Sequence, residues 1–166
     1  MSAQLLFWRE PFSTAGGCSA ETAVQRLQAL LSTTSRFSAE ERLLGRMEGQ
    51  HFRVWKRTLL GGSADVVQLE GRIAQGPDGV LVEGAFSYKA GTKVQFIGFL
   101  VLGLFIAASG VFQRLAGAAT SGDVILLGAG IAGITAIWIL GAYWMKDRQI
   151  DFLKSRMSEI LAPEGA

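Results

Sequence analysis

Residues 94–113 read VQFIGFLVLGLFIAASGVFQ, and residues 124–145 read VILLGAGIAGITAIWILGAYWM. Neither stretch contains an acidic residue, a basic residue or a histidine. At about 1.5 Å per residue, a helix of either length measures roughly 30 Å, which is the thickness of the hydrocarbon core of a bilayer. The short connection between them is typical of antiparallel neighbours. The two stretches therefore predict a transmembrane helical hairpin.

The composition agrees with this prediction. The chain has 166 residues, of which 49% are hydrophobic and only 18% are charged, and this balance is too apolar for an ordinary soluble domain. A buried soluble hairpin is the alternative, but a chain of this size has little other surface with which to cover two such helices. The single cysteine, Cys18, cannot close an internal disulfide, and the length excludes a large multidomain enzyme.

Basic residues near the helix ends predict the orientation. Lys89 and Lys93 precede the first stretch, whereas the connection carries Arg114 alone. Four basic residues follow the second stretch, namely Lys146, Arg148, Lys154 and Arg156. The positive-inside rule therefore predicts that both ends of the chain lie in the cytoplasm, with the hairpin in a bacterial inner membrane.

Small residues recur at four-residue spacing in both stretches, a pattern that lets membrane helices approach closely. They could meet within one hairpin or between two copies, and the sequence leaves both alternatives open. The predicted packing residues are Gly103, Ala107, Gly128, Ala129, Ala132, Gly133 and Ala136.

Three glycines of the second stretch, Gly128, Gly130 and Gly133, also have the spacing of a dinucleotide-binding fingerprint. The chain continues as an apolar run to Met145 after these glycines, without the second strand that such a fold requires. We therefore predict helix packing here, and no cofactor.

The preceding 93 residues predict a small α+β domain. An apolar stretch within residues 3–13 indicates a first strand, and a three- and four-residue apolar repeat predicts a helix over 20–32 with Ser19 as its N-cap. Residues 36–42 are interpreted as a loop or a single turn. From Leu43 to Tyr88 the apolar period is two, interrupted by Gly-rich turns, which predicts four antiparallel strands and the order β-α-β-β-β-β.

Four segments of this domain resemble segments of known proteins. They are Leu44-Gly45-Arg46, the basic and aromatic run 52–57, residues 69–73, and residues 79–86. Together with the preceding helix and the following apolar hairpin, residues 20–145 resemble a group of small bacterial two-span membrane proteins of unknown function with an N-terminal α+β domain. The resemblance implies this architecture, and it implies no activity and no catalytic residue.

One predicted strand carries the main candidate for binding. Alternation places His51, Arg53, Trp55 and Arg57 on one face of residues 51–57. Three interpretations remain: a solvated sheet face, contact of Arg53, Trp55 and Arg57 with anionic lipid or a partner, and nucleic-acid binding. The first 93 residues hold 11 Lys or Arg against 9 Asp or Glu, so the charge does not favour nucleic acid.

No residue pattern predicts catalysis. His51 is the only histidine, and no spacing pairs it with a nucleophile and an orienting carboxylate. One Cys and one His cannot form a structural zinc site, and no phosphate-binding loop is present. We therefore predict a protein that is not an enzyme and that holds no metal.

The C-terminal segment, residues 146–166, predicts an amphipathic helix. Ile150, Leu153, Met157 and Ile160 recur at helical spacing between charged residues. This stripe could dock on the chain's own domain, bind a second copy or a partner subunit, or lie on the membrane. Ile150, Leu153 and Met157 are accordingly candidate residues for lipid or partner contact.

The predicted architecture is thus a cytoplasmic α+β domain (1–93), a transmembrane hairpin (94–145) and a cytoplasmic amphipathic tail (146–166). The predicted function is a non-enzymatic integral membrane protein that holds a small interaction module at the inner membrane. Its predicted partners are the bilayer and either a second copy or another membrane protein. An accessory subunit of a larger transporter or respiratory complex is the alternative. An enzyme or cofactor-binding protein is the third hypothesis, and no residue pattern supports it.

Overall fold

The computed structural model describes residues 7–32, 42–57, 66–77, 79–117 and 121–163. The loop predicted at 36–42 lies almost entirely outside these residues, as does the start of the first predicted strand. The chain forms two compact units, of which one combines Met1–Lys89 with Met145–Ala166 and the other is Ala90–Trp144. In chain order the elements are β1 (Arg9–Gly16), α1 (Ala20–Ser32), β2 (Arg42–Glu48), β3 (His51–Arg57), β4 (Val67–Gly76), β5 (Gly79–Tyr88), α2 (Ala90–Leu115) and α3 (Ser121–Ile160).

The sheet of the first unit has five antiparallel strands in the order β1-β5-β4-β3-β2. The predicted element order and the predicted meander from β2 to β5 are therefore confirmed. Val54 pairs with Leu69, which in turn pairs with Phe86. All three are fully buried, so the alternating apolar residues form one face, here called the core face.

The first strand lies later in the chain than predicted. It pairs with β5 from Arg9 opposite Ser87 to Gly16 opposite Val80, whereas the prediction was centred on the apolar run before Arg9. Trp8 nevertheless packs on Tyr88, with ring centroids 5.5 Å apart. The partner strand, which is distant in sequence, sets the strand position here, and local apolarity does not.

Helix α1 has the bounds that the sequence predicts. The Ser19 hydroxyl accepts a hydrogen bond from the backbone N–H of Thr22 at 3.1 Å, which is the N-cap geometry. Ala23 and Leu27 are fully buried. The helix packs against β2, β4 and β5.

The C-terminal segment differs from its prediction in two respects. First, no break separates it from the second apolar stretch, because α3 is one helix of 40 residues. Neither Gly nor Pro occurs between Gly141 and Pro163, so nothing in the sequence ends the helix earlier. Second, this segment belongs to the same compact unit as the sheet and does not form a separate tail.

The apolar stripe of this segment is part of the core. Ile150, Leu153 and Met157 are 4%, 0% and 0% exposed. Of the alternatives left open by the sequence, this burial agrees with docking on the chain's own domain, and it leaves these side chains inaccessible to lipid or a partner in this conformation. The physical reason is the width of the sheet. Five strands spaced about 4.8 Å apart span roughly 20 Å, whereas one helix covers about 10 Å, so α1 alone leaves half of the core face open. The end of α3 lies on the same face, where the Lys154 ammonium is 5.7 Å from the centroid of the Phe86 ring.

Polar contacts attach the end of α3 to the rest of the unit. Gln149 Oε1 accepts a hydrogen bond from the backbone N–H of Val67 at 3.0 Å. Arg26 of α1 donates to the carbonyl oxygens of Ile160 and Ala162 at 3.1 and 2.7 Å. A guanidinium at these carbonyls satisfies acceptors that the end of a helix leaves open and complements the negative end of its dipole.

Candidate functional site

The second unit exposes an unusually apolar surface. Both α2 and α3 are long and apolar enough to cross a membrane, with a mean hydropathy of 2.2 over the most apolar window of each and only 17% of that window buried. Large side chains such as Phe105, Phe112 and Leu126 are 69%, 77% and 72% exposed.

Two glycines bring the helices of this unit into close contact. A Cβ atom on Gly103 would lie 2.8 Å from the backbone nitrogen of Ala132, and one on Gly128 would overlap the backbone of Ala107. Any side chain at these positions would therefore push the helices apart. Of the two alternatives for the small residues, these four pack within the hairpin.

The other predicted packing residues behave differently. A Cβ atom on Gly133 would meet no other atom within 4 Å, and the same holds for Gly130. Ala129 is exposed and Ala136 is half-buried. Gly133 and Ala129 therefore present a second small-residue face that the hairpin contact does not use.

The first unit has an open face of its own, on the side of the sheet opposite the core face. On β3, Phe52 and Val54 are buried, whereas Arg53 and Arg57 are exposed and Trp55 is half-buried. The predicted basic and aromatic row is therefore on one face. We call this surface the open face, and it comprises the outward side chains of all five strands.

Cross-strand register brings further charged residues beside this row. Arg53 forms an ion pair with Glu70 on β4, and Arg72 bonds Glu83 on β5 at 3.0 Å. His51, the only histidine, lies opposite both Glu48 and Arg72. Ion pairs on such an exposed surface contribute little to stability, typically about 0–1 kcal/mol.

Like charges also face each other on the hairpin of β2 and β3. Arg46 lies directly opposite Arg53, and Arg42 lies directly opposite Arg57. Between them the half-buried Trp55 stacks under the Lys89 ammonium, which lies 4.4 Å from the ring centroid. Like charges directly opposite each other destabilise a sheet.

These side chains surround an open cleft of about 600 Å³. Gly71 and Gly84 pair directly with each other, and both line the cleft. The cleft is lined by Arg9, Arg46, Glu48, His51, Phe52, Arg53, Glu70, Gly71, Arg72, Glu83 and Gly84.

Sequence analysis found only part of this cleft. Arg53 and His51 were recognised from alternation within one strand, but Arg46 and Arg72 were not. No local pattern marks them, because their proximity depends on which residues of neighbouring strands pair. The cluster of basic residues on the run 42–57 is the one signal that could have drawn attention to Arg46.

The other reactive side chain considered in the sequence analysis, Cys18, is not among the residues that line the cleft. Cys18 is buried, and its sulfur lies 3.8 Å from the carbonyl oxygen of Ile160. Among the described residues, no three His, Cys, Asp or Glu side chains are grouped so that they could hold a metal ion.

Known proteins supply no further assignment. Comparison with protein families, with curated proteins and with solved structures finds no match for this chain. The similarity to small bacterial two-span membrane proteins therefore stays a prediction, and function has to be argued from the two surfaces described above.

Proposed function

We propose that this protein is an integral membrane protein. In this proposal α2 and the apolar part of α3 cross the bilayer as a hairpin and hold the α+β unit at the cytoplasmic face of a bacterial inner membrane. The exposed apolar side chains carry the proposal. Of the 21 large hydrophobic side chains that are exposed among the described residues, 19 lie between Val94 and Met145.

The concentration of these side chains matters more than their number. Exposed apolar patches on soluble monomers rarely exceed a few hundred Å², and larger ones mark contact with another protein or with a membrane. Burying such side chains in hydrocarbon gains roughly 25 cal/mol per Å² of apolar surface removed from water. The helices also satisfy their own backbone groups, as a lipid environment requires.

The first unit is built from two segments of the chain that flank the apolar helices. This arrangement supports a hairpin that crosses the membrane an even number of times. Residues before Lys89 and residues after Met145 build one hydrophobic core, so they must lie on the same side of any membrane. Basic residues concentrate on these two flanks, while the connection described up to Gly117 carries only Arg114. By the positive-inside rule, this distribution supports our proposal that the common side is the cytoplasm.

We further propose that the α+β unit binds a partner or ligand and does not catalyse a reaction. The cleft on the open face is lined by arginines, glutamates and one histidine, and no Ser, Thr or Cys side chain is among its described lining residues. Such a surface suits charge-assisted recognition of a charged group.

Cysteine labelling tests the insertion and its topology in one experiment. In a Cys18→Ala background, Ala116→Cys and Asp147→Cys each place one exposed thiol, the first between α2 and α3 and the second within the α+β unit. We expect a membrane-impermeant maleimide to label Ala116→Cys in intact bacterial cells with permeabilised outer membranes. It should label Asp147→Cys only after the inner membrane is opened, and both variants should stay with the membrane after a carbonate wash.

Two results would contradict the proposal. Release of the protein by carbonate would mean that the apolar helices are not in lipid. Equal labelling of the two variants in intact cells would place them on one side and exclude the hairpin.

The second small-residue face favours one further candidate function. A Cβ atom on Gly133 would meet nothing within 4 Å and Ala129 is exposed, and such faces commonly receive another membrane helix. An accessory subunit of a larger complex would use this face. In that case purification in mild detergent should yield stoichiometric companion subunits, and Gly133→Leu should release them. If the protein purifies without companions, the accessory-subunit hypothesis is wrong and the module hypothesis stands.

A further inference from the structure

One pair of opposed arginines on the open face is not explained by the fold. Arg46 faces Arg53 across the β2–β3 hairpin, and both line the cleft. Arg53 has Glu70 as its ion-pair partner, whereas Arg46 forms no ion pair among the described residues. Like charges directly opposite each other cost free energy. Where a local rule of stability is broken, a functional role is the expected reason.

The cleft that Arg46 and Arg53 line has an uneven charge balance. Four arginines and three glutamates line it, so the arginines leave one positive charge in excess. Arg53 and Arg72 are ion-paired with Glu70 and Glu83. Among the described residues, by contrast, no ion pair is formed by the two other lining arginines, Arg9 and Arg46.

We propose that this cleft binds a phosphate-type oxyanion, carried either by a soluble phosphomonoester or by an anionic lipid headgroup. Arg46 and Arg9 supply the available guanidinium groups, with Arg53 and His51 beside them. A guanidinium presents parallel N–H donors that match two phosphate oxygens, and an anion between Arg46 and Arg53 removes their mutual repulsion.

The size and charge of the cleft limit the ligand. A volume of about 600 Å³ is in the range of small-molecule sites. The single excess positive charge fits one phosphate group. It does not fit the backbone of a nucleic acid, whose binding depends on neutralising many phosphates at once.

The only histidine provides a site-specific probe. His51 is exposed and lines the cleft, so its imidazole C–H signals in the proton NMR spectrum of the full-length protein report on this site alone. We expect the His51 signals to shift saturably when inorganic phosphate is added in neutral detergent at constant pH. Sodium chloride at matched ionic strength should not produce this saturable shift.

A matched pair of variants distinguishes binding in the cleft from attraction by the positive charge of the whole surface. Arg46 and Arg57 are both exposed, both lie on the β2–β3 hairpin and both face an arginine, but only Arg46 lines the cleft. Arg46→Gln should weaken phosphate binding by about tenfold or more, because it removes a charged donor. Arg57→Gln removes the same charge and should change the affinity by about twofold at most.

A second set of titrations distinguishes a soluble phosphate ligand from a lipid headgroup. The same signals are followed in micelles of neutral detergent doped with phosphatidic acid, with phosphatidylcholine as the control lipid. Saturation by inorganic phosphate indicates a soluble ligand, and saturation by phosphatidic acid alone indicates a lipid headgroup, so either result supports the site.

Two outcomes overturn the proposal. One is a His51 signal that saturates with neither probe. The other is equal weakening by Arg46→Gln and Arg57→Gln, which would mean that the field of the whole surface, and not the cleft, attracts the anion. Because the measurements do not require membrane insertion, their failure is distinct from a failure of the proposed topology.

Discussion

Replacing Leu153 with alanine should lower the local free energy of unfolding of the sheet by about 3 kcal/mol, within the range measured for large-to-small core substitutions. Leu153 is fully buried, beside the similarly buried Met157. Truncation removes buried methyl groups and leaves a cavity. The helix around Leu153 contacts β4 through the hydrogen bond from Val67 to Gln149, and β5 through Lys154, whose ammonium lies 5.7 Å from the Phe86 ring centroid. The variant should therefore loosen β4 and β5, which are distant in sequence from the substitution.

Hydrogen–deuterium exchange of the full-length protein in detergent measures this effect element by element. A loss of about 3 kcal/mol corresponds to roughly hundredfold faster exchange of the amides in β4 (Val67–Gly76) and β5 (Gly79–Tyr88). Ser155→Ala is the matched control, because Ser155 lies two residues away on the exposed side of the same helix. It should change the exchange by little, as expected for a surface substitution.

The result also decides the role of the C-terminal stripe. Unchanged exchange of β4 and β5 in Leu153→Ala would show that the end of α3 is not part of the core. The stripe would then be available for a second copy or a partner, which is the alternative that the sequence left open.

Gly128→Val should destabilise the helical hairpin, with a cost of about 1–3 kcal/mol as for overpacked interiors. The added side chain would overlap the backbone of Ala107, and neither helix has a flexible group at that point that could yield. Backbones held this close gain contacts over several residues, so separating them loses more than a single contact.

Thermal stability of the detergent-solubilised protein measures this change. After heating, the monodisperse gel-filtration peak of Gly128→Val should be lost at a temperature about 5 °C or more below that of the parent chain. Gly130→Val is the control, because a Cβ atom there meets nothing within 4 Å. Equal melting of the two variants would show that Gly128 does not form the helix contact.

Local patterns were sufficient for much of the architecture. Helix α1 begins and ends where the Ser19 cap and the apolar repeat predict, because capping and amphipathicity act within a few residues. The alternation in β3 correctly separates Arg53 from Phe52, since the period of a strand is two whatever it pairs with. The two uncharged stretches, 94–113 and 124–145, were equally evident, because length and apolarity are properties of one segment.

Other features depend on partners that a local pattern does not reveal. The stripe of Ile150, Leu153 and Met157 has the same spacing whether it meets lipid, a second chain or its own sheet. Its burial depends on a core face too wide for α1 alone. The first strand is placed by its pairing with β5, which is separated from it by the whole intervening domain.

The two candidate surfaces also combine features that are local in sequence with features that depend on tertiary packing. Composition and alternation were enough to establish two apolar helices, an α+β order and a basic row on β3, because each of these is a property of neighbouring residues. The cleft of Arg9, Arg46 and Arg72 and the contact of Gly103 with Ala132 arise only when separate segments are brought together. Strand register and helix approach are collective outcomes of packing, so no single segment encodes them.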